Sequence, residues 1–83
     1  MKVKVLFFGA TADSVGEREV EILLDESVNA ENALNEIFEA FPNLEKNHDK
    51  RSLHFSVNQE YANGDEPIND GDELAVFTAV SGG

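Results

Sequence analysis

The sequence predicts an α+β fold, a mixed sheet with one main helix packed on one face. Four segments, residues 2–8, 17–24, 53–58 and 73–78, alternate apolar and polar side chains with the two-residue period of a strand. One segment, residues 30–41, instead spaces its apolar residues by three and four, as a helix does. A single helix cannot cover both faces of such a sheet, and 83 residues leave room for one core, so two layers are the economical solution.

In the first strand Val3, Val5 and Phe7 share one face, and Leu6 and Phe8 make the other face apolar as well, which places the strand in the middle of the sheet. Residues 9–16, small and bounded by Gly9 and Gly16, read as a wide loop. The second strand then turns Val20, Ile22 and Leu24 inward and pairs antiparallel with the first. Asn29 is placed as the N-cap of the helix, with Glu31 in the first turn opposing the macrodipole. Ala30, Ala33, Leu34, Ile37, Phe38 and Phe41 form its stripe, and Pro42 ends it. Residues 43–52 read as a polar surface excursion with a short helical turn. Leu53, Phe55 and Val57 point inward from the next strand, with His54 on its polar face. Asn63-Gly64 and Asn69-Asp70-Gly71-Asp72 are turn signals, and Pro67 between them argues against a central strand. This order of elements is that of the β-grasp, or ubiquitin-like, architecture. Residues 1–80 are expected to form a single domain, and residues 81–83 a flexible Ser-Gly-Gly tail.

Seventeen acidic residues against six Lys and Arg give a formal charge of −11. Such a field repels phosphate backbones and anionic lipid and favours basic partner surfaces, so neither nucleic acid nor membrane is an expected partner. No Cys is present, which excludes a disulfide framework, a thiolate zinc site and a cysteine nucleophile, and suits a reducing cytoplasm. The apolar run from Val5 to Phe8 is too short for a signal peptide or a membrane span.

The sequence holds little conventional catalytic chemistry. His48 and His54 are six residues apart, which fits no helix face, and a zinc site would need further ligands from scattered carboxylates, so no metal is expected. The acidic run from Asp65 to Glu73 fails as a calcium loop. With Gly71 at the sixth position, Ile68 and Phe77 fall where ligands are required. A tight turn explains it better. Phosphate loops, nucleophile elbows and dinucleotide fingerprints do not occur.

The remaining candidate is Val80-Ser81-Gly82-Gly83, a narrow tail without side-chain bulk at its last two residues. A tail of this shape threads into a partner's channel and presents its carboxylate. A carboxylate is a poor electrophile and must be activated, for example as an acyl-adenylate, before a sulfur or amine nucleophile attacks it. On this reading the reacting group is that of Gly83.

Lys4-Val5-Leu6-Phe7-Phe8-Gly9, Val57-Asn58-Gln59-Glu60 and the run from Asn69 to Phe77, followed by Val80-Ser81-Gly82-Gly83, resemble the molybdopterin synthase small-subunit family over essentially the whole chain. Members of this family are ubiquitin-like sulfur carriers with a C-terminal Gly-Gly. The resemblance implies that an E1-like enzyme consumes ATP and magnesium to adenylate Gly83, and that sulfur then replaces AMP to give a thiocarboxylate. It implies that Gly82 and Ser81 lie in the channel of the large synthase subunit, where sulfur passes to the pterin precursor. The implied assembly is a cytoplasmic heterotetramer of two small and two large subunits. The small subunit would be the non-catalytic sulfur donor, with no permanently bound cofactor and the active-site machinery on its partner. Phe8, Tyr61 and Phe77, with Val80 and Ser81, match the family's docking surface. The chain departs from the family at Thr78-Ala79, where prolines commonly stiffen the base of the tail. A carrier for thiamine synthesis or tRNA thiolation, a ubiquitin-like modifier of lysines, and an interaction module with an incidental Gly-Gly end are the alternatives. The excursion between Pro42 and Leu53 argues against the shorter thiamine type.

Overall fold

The computed structural model describes residues 1–78. The chain runs β1 (Lys2–Phe7), α1 (Ala10–Val15), β2 (Glu19–Leu23), α2 (Ala30–Ala40), α3 (Asn43–Asn47), a 3-10 turn (Lys50–Ser52), β3 (Leu53–Val57), β4 (Glu60–Tyr61) and β5 (Glu73–Thr78). The strands form one mixed sheet in the order β2-β1-β5-β3-β4. Its central pair, β1 and β5, is parallel with Phe7 opposite Val76, and the other pairs are antiparallel. This is the expected α+β arrangement, a ubiquitin-like β-grasp.

Val3, Val5 and Phe7 from β1, Leu74 and Val76 from β5, and Phe55 from β3 meet Ala30, Ala33, Ile37 and Phe38 of α2 in the core. The helix begins where Asn29 Oδ1 accepts from the Asn32 N–H at 2.9 Å. The two preceding N–H groups are also satisfied, Ala30 by the Glu66 carbonyl at 2.8 Å and Glu31 by the Gly64 carbonyl at 3.0 Å. The loop after β4 therefore completes the N-terminus of α2, whose first-turn donors have no partner within the helix. Glu66 holds that loop, accepting from the N–H groups of Asn63 at 2.6 Å and Gly64 at 2.8 Å.

Two expectations are corrected. Residues 9–16 are not an open loop, because α1 occupies Ala10–Val15 between Gly9 and a left-handed Gly16. Six residues are too few to show a helical period, and what holds them is tertiary. Thr11 is buried, its hydroxyl donating to the Val76 carbonyl at 2.7 Å while its oxygen accepts from the Phe8 N–H at 3.0 Å. Nor are residues 43–52 wholly a surface excursion. Pro42 begins α3, and Leu44 is 0% exposed, adding a layer to the core beyond the end of α2.

The turns named in the sequence lock the register of the sheet. Asn69-Asp70-Gly71-Asp72 closes through the Asp72 N–H to the Asn69 carbonyl at 3.0 Å, with Gly71 at φ 88°, a value that glycine reaches without strain. Its carboxylates accept backbone N–H groups, Asp70 from Lys2 at 2.7 Å and Asp72 from Asn69 at 2.8 Å. Asn58 and Gln59, both at positive φ, make the two-residue hairpin between β3 and β4. Asn58 also reaches across to β5, accepting from the Glu73 N–H at 3.0 Å and donating to Asp72 at 3.1 Å.

Two predictions follow from these turns. Asn58→Ala loses both side-chain bonds and strains a left-handed position, and should cost about 2–3 kcal/mol. Asn58→Gly loses only the bonds and should cost about 1–2 kcal/mol, so equal losses on urea titration would refute a role for backbone strain. The backbone N–H of Asn63, with that of Gly64, holds the Glu66 carboxyl below its ordinary pKa. Its contribution is then present above the unfolded-state value and lost as pH falls through the folded one. The stability gap between wild type and Glu66→Gln should be widest near neutrality and should close on acidification below about pH 4. A gap that is constant with pH in urea melts would contradict this.

Candidate functional site

Strand alternation sends Phe7 into the core and Phe8 to the opposite, open face of the sheet, where it is 52% exposed. Phe77 is next to Val76 on β5 and points the same way, and the register sets His54 of β3 directly opposite it. The short β4 hairpin then brings Tyr61, 72% exposed, to the far side of the same cluster.

The four rings touch. Phe8 meets Phe77 edge-on at 6.4 Å, His54 stacks on Phe77 at 5.7 Å and 22°, and Tyr61 tilts against Phe77 at 5.8 Å. Tyr61 also lies edge-on to His54 at 5.9 Å. Phe77 is the hub, half-buried beneath the other three. Between Phe8 and Phe77 a shallow apolar hollow opens, lined by Gly9, Ala10 and Thr78, at the point where β5 ends. Contiguous exposed aromatics of this kind on a small domain form a surface suited to an apolar partner.

The structure brings together Phe8, Tyr61 and Phe77, which the family resemblance had grouped. Val80, Ser81, Gly82 and Gly83 lie outside the described residues. His54 belongs to the cluster and was not expected there. Its alternation put it on the face away from the core, and only the pairing of β3 with β5 shows that this face is aromatic.

His48 has a different place. Its Nε2 shares a 2.8 Å hydrogen bond with Ser14 Oγ, to which Asn47 also donates at 3.3 Å, so it fastens α3 to α1. Among the described residues no group of three or more His, Cys, Asp or Glu is placed to hold a metal. In the acidic run from Asp65 to Glu73, which is not a calcium loop, the carboxylates of Glu66, Asp70 and Asp72 accept from backbone N–H groups. A second hollow, beside Met1, is bordered by Glu26, Asp65 and Asp70 and is polar. No helix among the described residues is long and apolar enough to cross a membrane.

The chain is 38% identical to a molybdopterin synthase sulfur carrier subunit of Caenorhabditis elegans, over 100% of this chain and 99% of the relative. It is 33% identical to the protein of that description from Chlamydomonas reinhardtii, over the full length of both. The crystal structure of the H. volcanii small archaeal modifier protein 1 superposes with a TM-score of 0.84 at 28% identity, covering 95% of this chain and 98% of that one. The ThiS family pattern matches residues 5–83, and the chain belongs to the ThiS family.

Proposed function

We propose that this protein is the sulfur carrier of molybdenum cofactor synthesis and works through the carboxylate of Gly83. The observation that carries the reading is the aromatic cluster at the end of β5, the strand that precedes Val80-Ser81-Gly82-Gly83 in the sequence. The full-length similarity to two sulfur carrier subunits, which runs through Gly82-Gly83, supports it.

The chemistry is that of an activated acyl group. In the cytoplasm an E1-like enzyme joins the Gly83 carboxylate to the α-phosphate of ATP, with magnesium, and pyrophosphate leaves. A sulfur nucleophile then attacks the acyl carbon and AMP leaves, so one carboxylate oxygen is replaced by sulfur. ATP and magnesium belong to the activating partner. In a synthase of two small and two large subunits, residues 81–83 enter the large subunit, the thiocarboxylate sulfur bonds to the pterin precursor, and water cleaves the acyl–sulfur bond to regenerate the carboxylate. Phe8, Tyr61, Phe77 and His54 form the grip, and Val80 and Ser81 add contacts of their own with the partner.

The likeness to the small archaeal modifier protein supports a second reading. The same adenylate, attacked by a lysine amine, gives an isopeptide bond. Incubation with ATP, a sulfide donor and extract separates the two. Intact mass should show exchange of one oxygen for sulfur at the C-terminus, and deletion of Gly83 should abolish it. Lysine adducts would favour the modifier, and an unchanged mass would refute the carrier.

The grip is tested separately. Phe77→Ala and Tyr61→Ala should each weaken calorimetric binding to a molybdopterin synthase large subunit by about 1–3 kcal/mol, roughly five- to 150-fold. Tyr61→Ala should leave the melting temperature nearly unchanged because its ring is exposed. Unaltered binding in both variants would remove the cluster from the interface.

A further inference from the structure

We propose that the free edge of β2 docks an extended basic segment of a protein partner, which adds to the sheet as a sixth strand antiparallel to β2. This is independent of the sulfur-carrier reading, because β1 and β5 separate β2 from the strands that carry His54 and Tyr61.

β2 is an outer strand of the sheet, and its backbone is only half used. Arg18 accepts from the Phe7 N–H at 2.9 Å, and Leu24 exchanges bonds with Met1 at 2.7 and 2.8 Å, so residues 18 and 24 face β1. By the alternation of an antiparallel ladder Val20 and Ile22 do so too, and Glu19, Glu21 and Leu23 turn their N–H and C=O groups outward. The other edge, β4, has two residues and offers no comparable template.

The side chains specify what fits. Glu19 and Glu21 are exposed, and the ion pairs among the described residues are Met1 with Glu26 and Asp49 with Arg51, so neither carboxylate is paired. Leu23, on the same face, is 77% exposed, and on the other face Val20 and Ile22 are only half-buried. A strand with basic residues opposite Glu19 and Glu21, and apolar residues opposite Leu23 and beside Val20 and Ile22, satisfies every one of these positions. A second copy of this chain does not. Pairing β2 with itself about Glu21 sets carboxylate against carboxylate, on molecules that each carry a net −11.

The test titrates the labelled full-length protein with the blocked peptide Val-Ile-Lys-Ile-Lys, followed by amide NMR. Shifts should centre on Glu19, Glu21 and Leu23, and affinity should fall with added salt. N-methylation at the two lysines, whose amides face β2, or glutamate in place of lysine, should weaken binding about tenfold or more, whereas N-methylation at the isoleucines, which face away, should not. The double variant Glu19→Lys, Glu21→Lys should reverse the preference between the lysine and glutamate peptides. Shifts on Phe8, Tyr61 and Phe77 instead, indifference to the position of the methyl groups, the absence of binding, or edge-to-edge dimerisation of the protein would each overturn the proposal. The N-methyl comparison uses the native protein and stands even if the double variant does not fold.

Discussion

The turn from Asn69 to Asp72 is the constraint on which the sheet depends. Its backbone holds β1, through the Gly71 N–H to the Lys2 carbonyl at 2.8 Å and the Lys4 N–H to the Asp72 carbonyl at 3.0 Å. Its Asp72 side chain holds the β3–β4 hairpin through Asn58. Three strands remote in sequence are thereby fixed in register at one end. A shift of a single residue in any of them would turn its core side chains to solvent. Val57-Asn58-Gln59-Glu60 and Asn69-Asp70-Gly71-Asp72-Glu73, two stretches far apart in the sequence, are the two halves of this lock.

Register set at one end of the sheet decides what meets at the other. Because β1 and β5 run parallel with Phe7 opposite Val76, the residues that follow, Phe8 and Phe77, emerge side by side on the open face. The chain leaves β1 through Gly9 into α1, and Thr11 returns to bond the Val76 carbonyl, so the helix is fastened to the strand that precedes the C-terminal residues. Anything that grips Phe77 is held a few residues from Gly83. On the proposed reading, a domain of this size presents its reactive carboxylate to a partner's active site.

Much of this was legible in the sequence, and the limits have physical causes. The strands β1, β2, β3 and β5, the Asn29 cap and the α2 stripe follow from local alternation and capping, which act within one element. α1 was illegible because a run such as Ala10-Thr11-Ala12 has no apolar period, and its stability comes from a hydroxyl that reaches a strand 65 residues away. Leu44 was lost for a similar reason, as one apolar residue in a polar stretch has no pattern, although its burial joins α3 to the core. At the site, Phe8 and Phe77 could be grouped by face. The part played by His54 depended on which strand lies beside β5, which alternation within a strand does not encode.

In the proposed carrier, charge and aromatic surface divide the work of association. A net −11 acts over about a Debye length, 8 Å at physiological salt, and so speeds encounter with a basic surface without selecting an orientation. The ring cluster acts only on contact and supplies orientation and residence. A carrier must be taken up by an activating enzyme, released, and taken up again by the enzyme that receives its cargo. Tight adhesion at either stop would slow the cycle. Three rings around one hub, with the rest of the surface left to long-range attraction, suit repeated transient docking better than an extended apolar interface would. For the proposed carrier, the small size of the patch is then part of how it works.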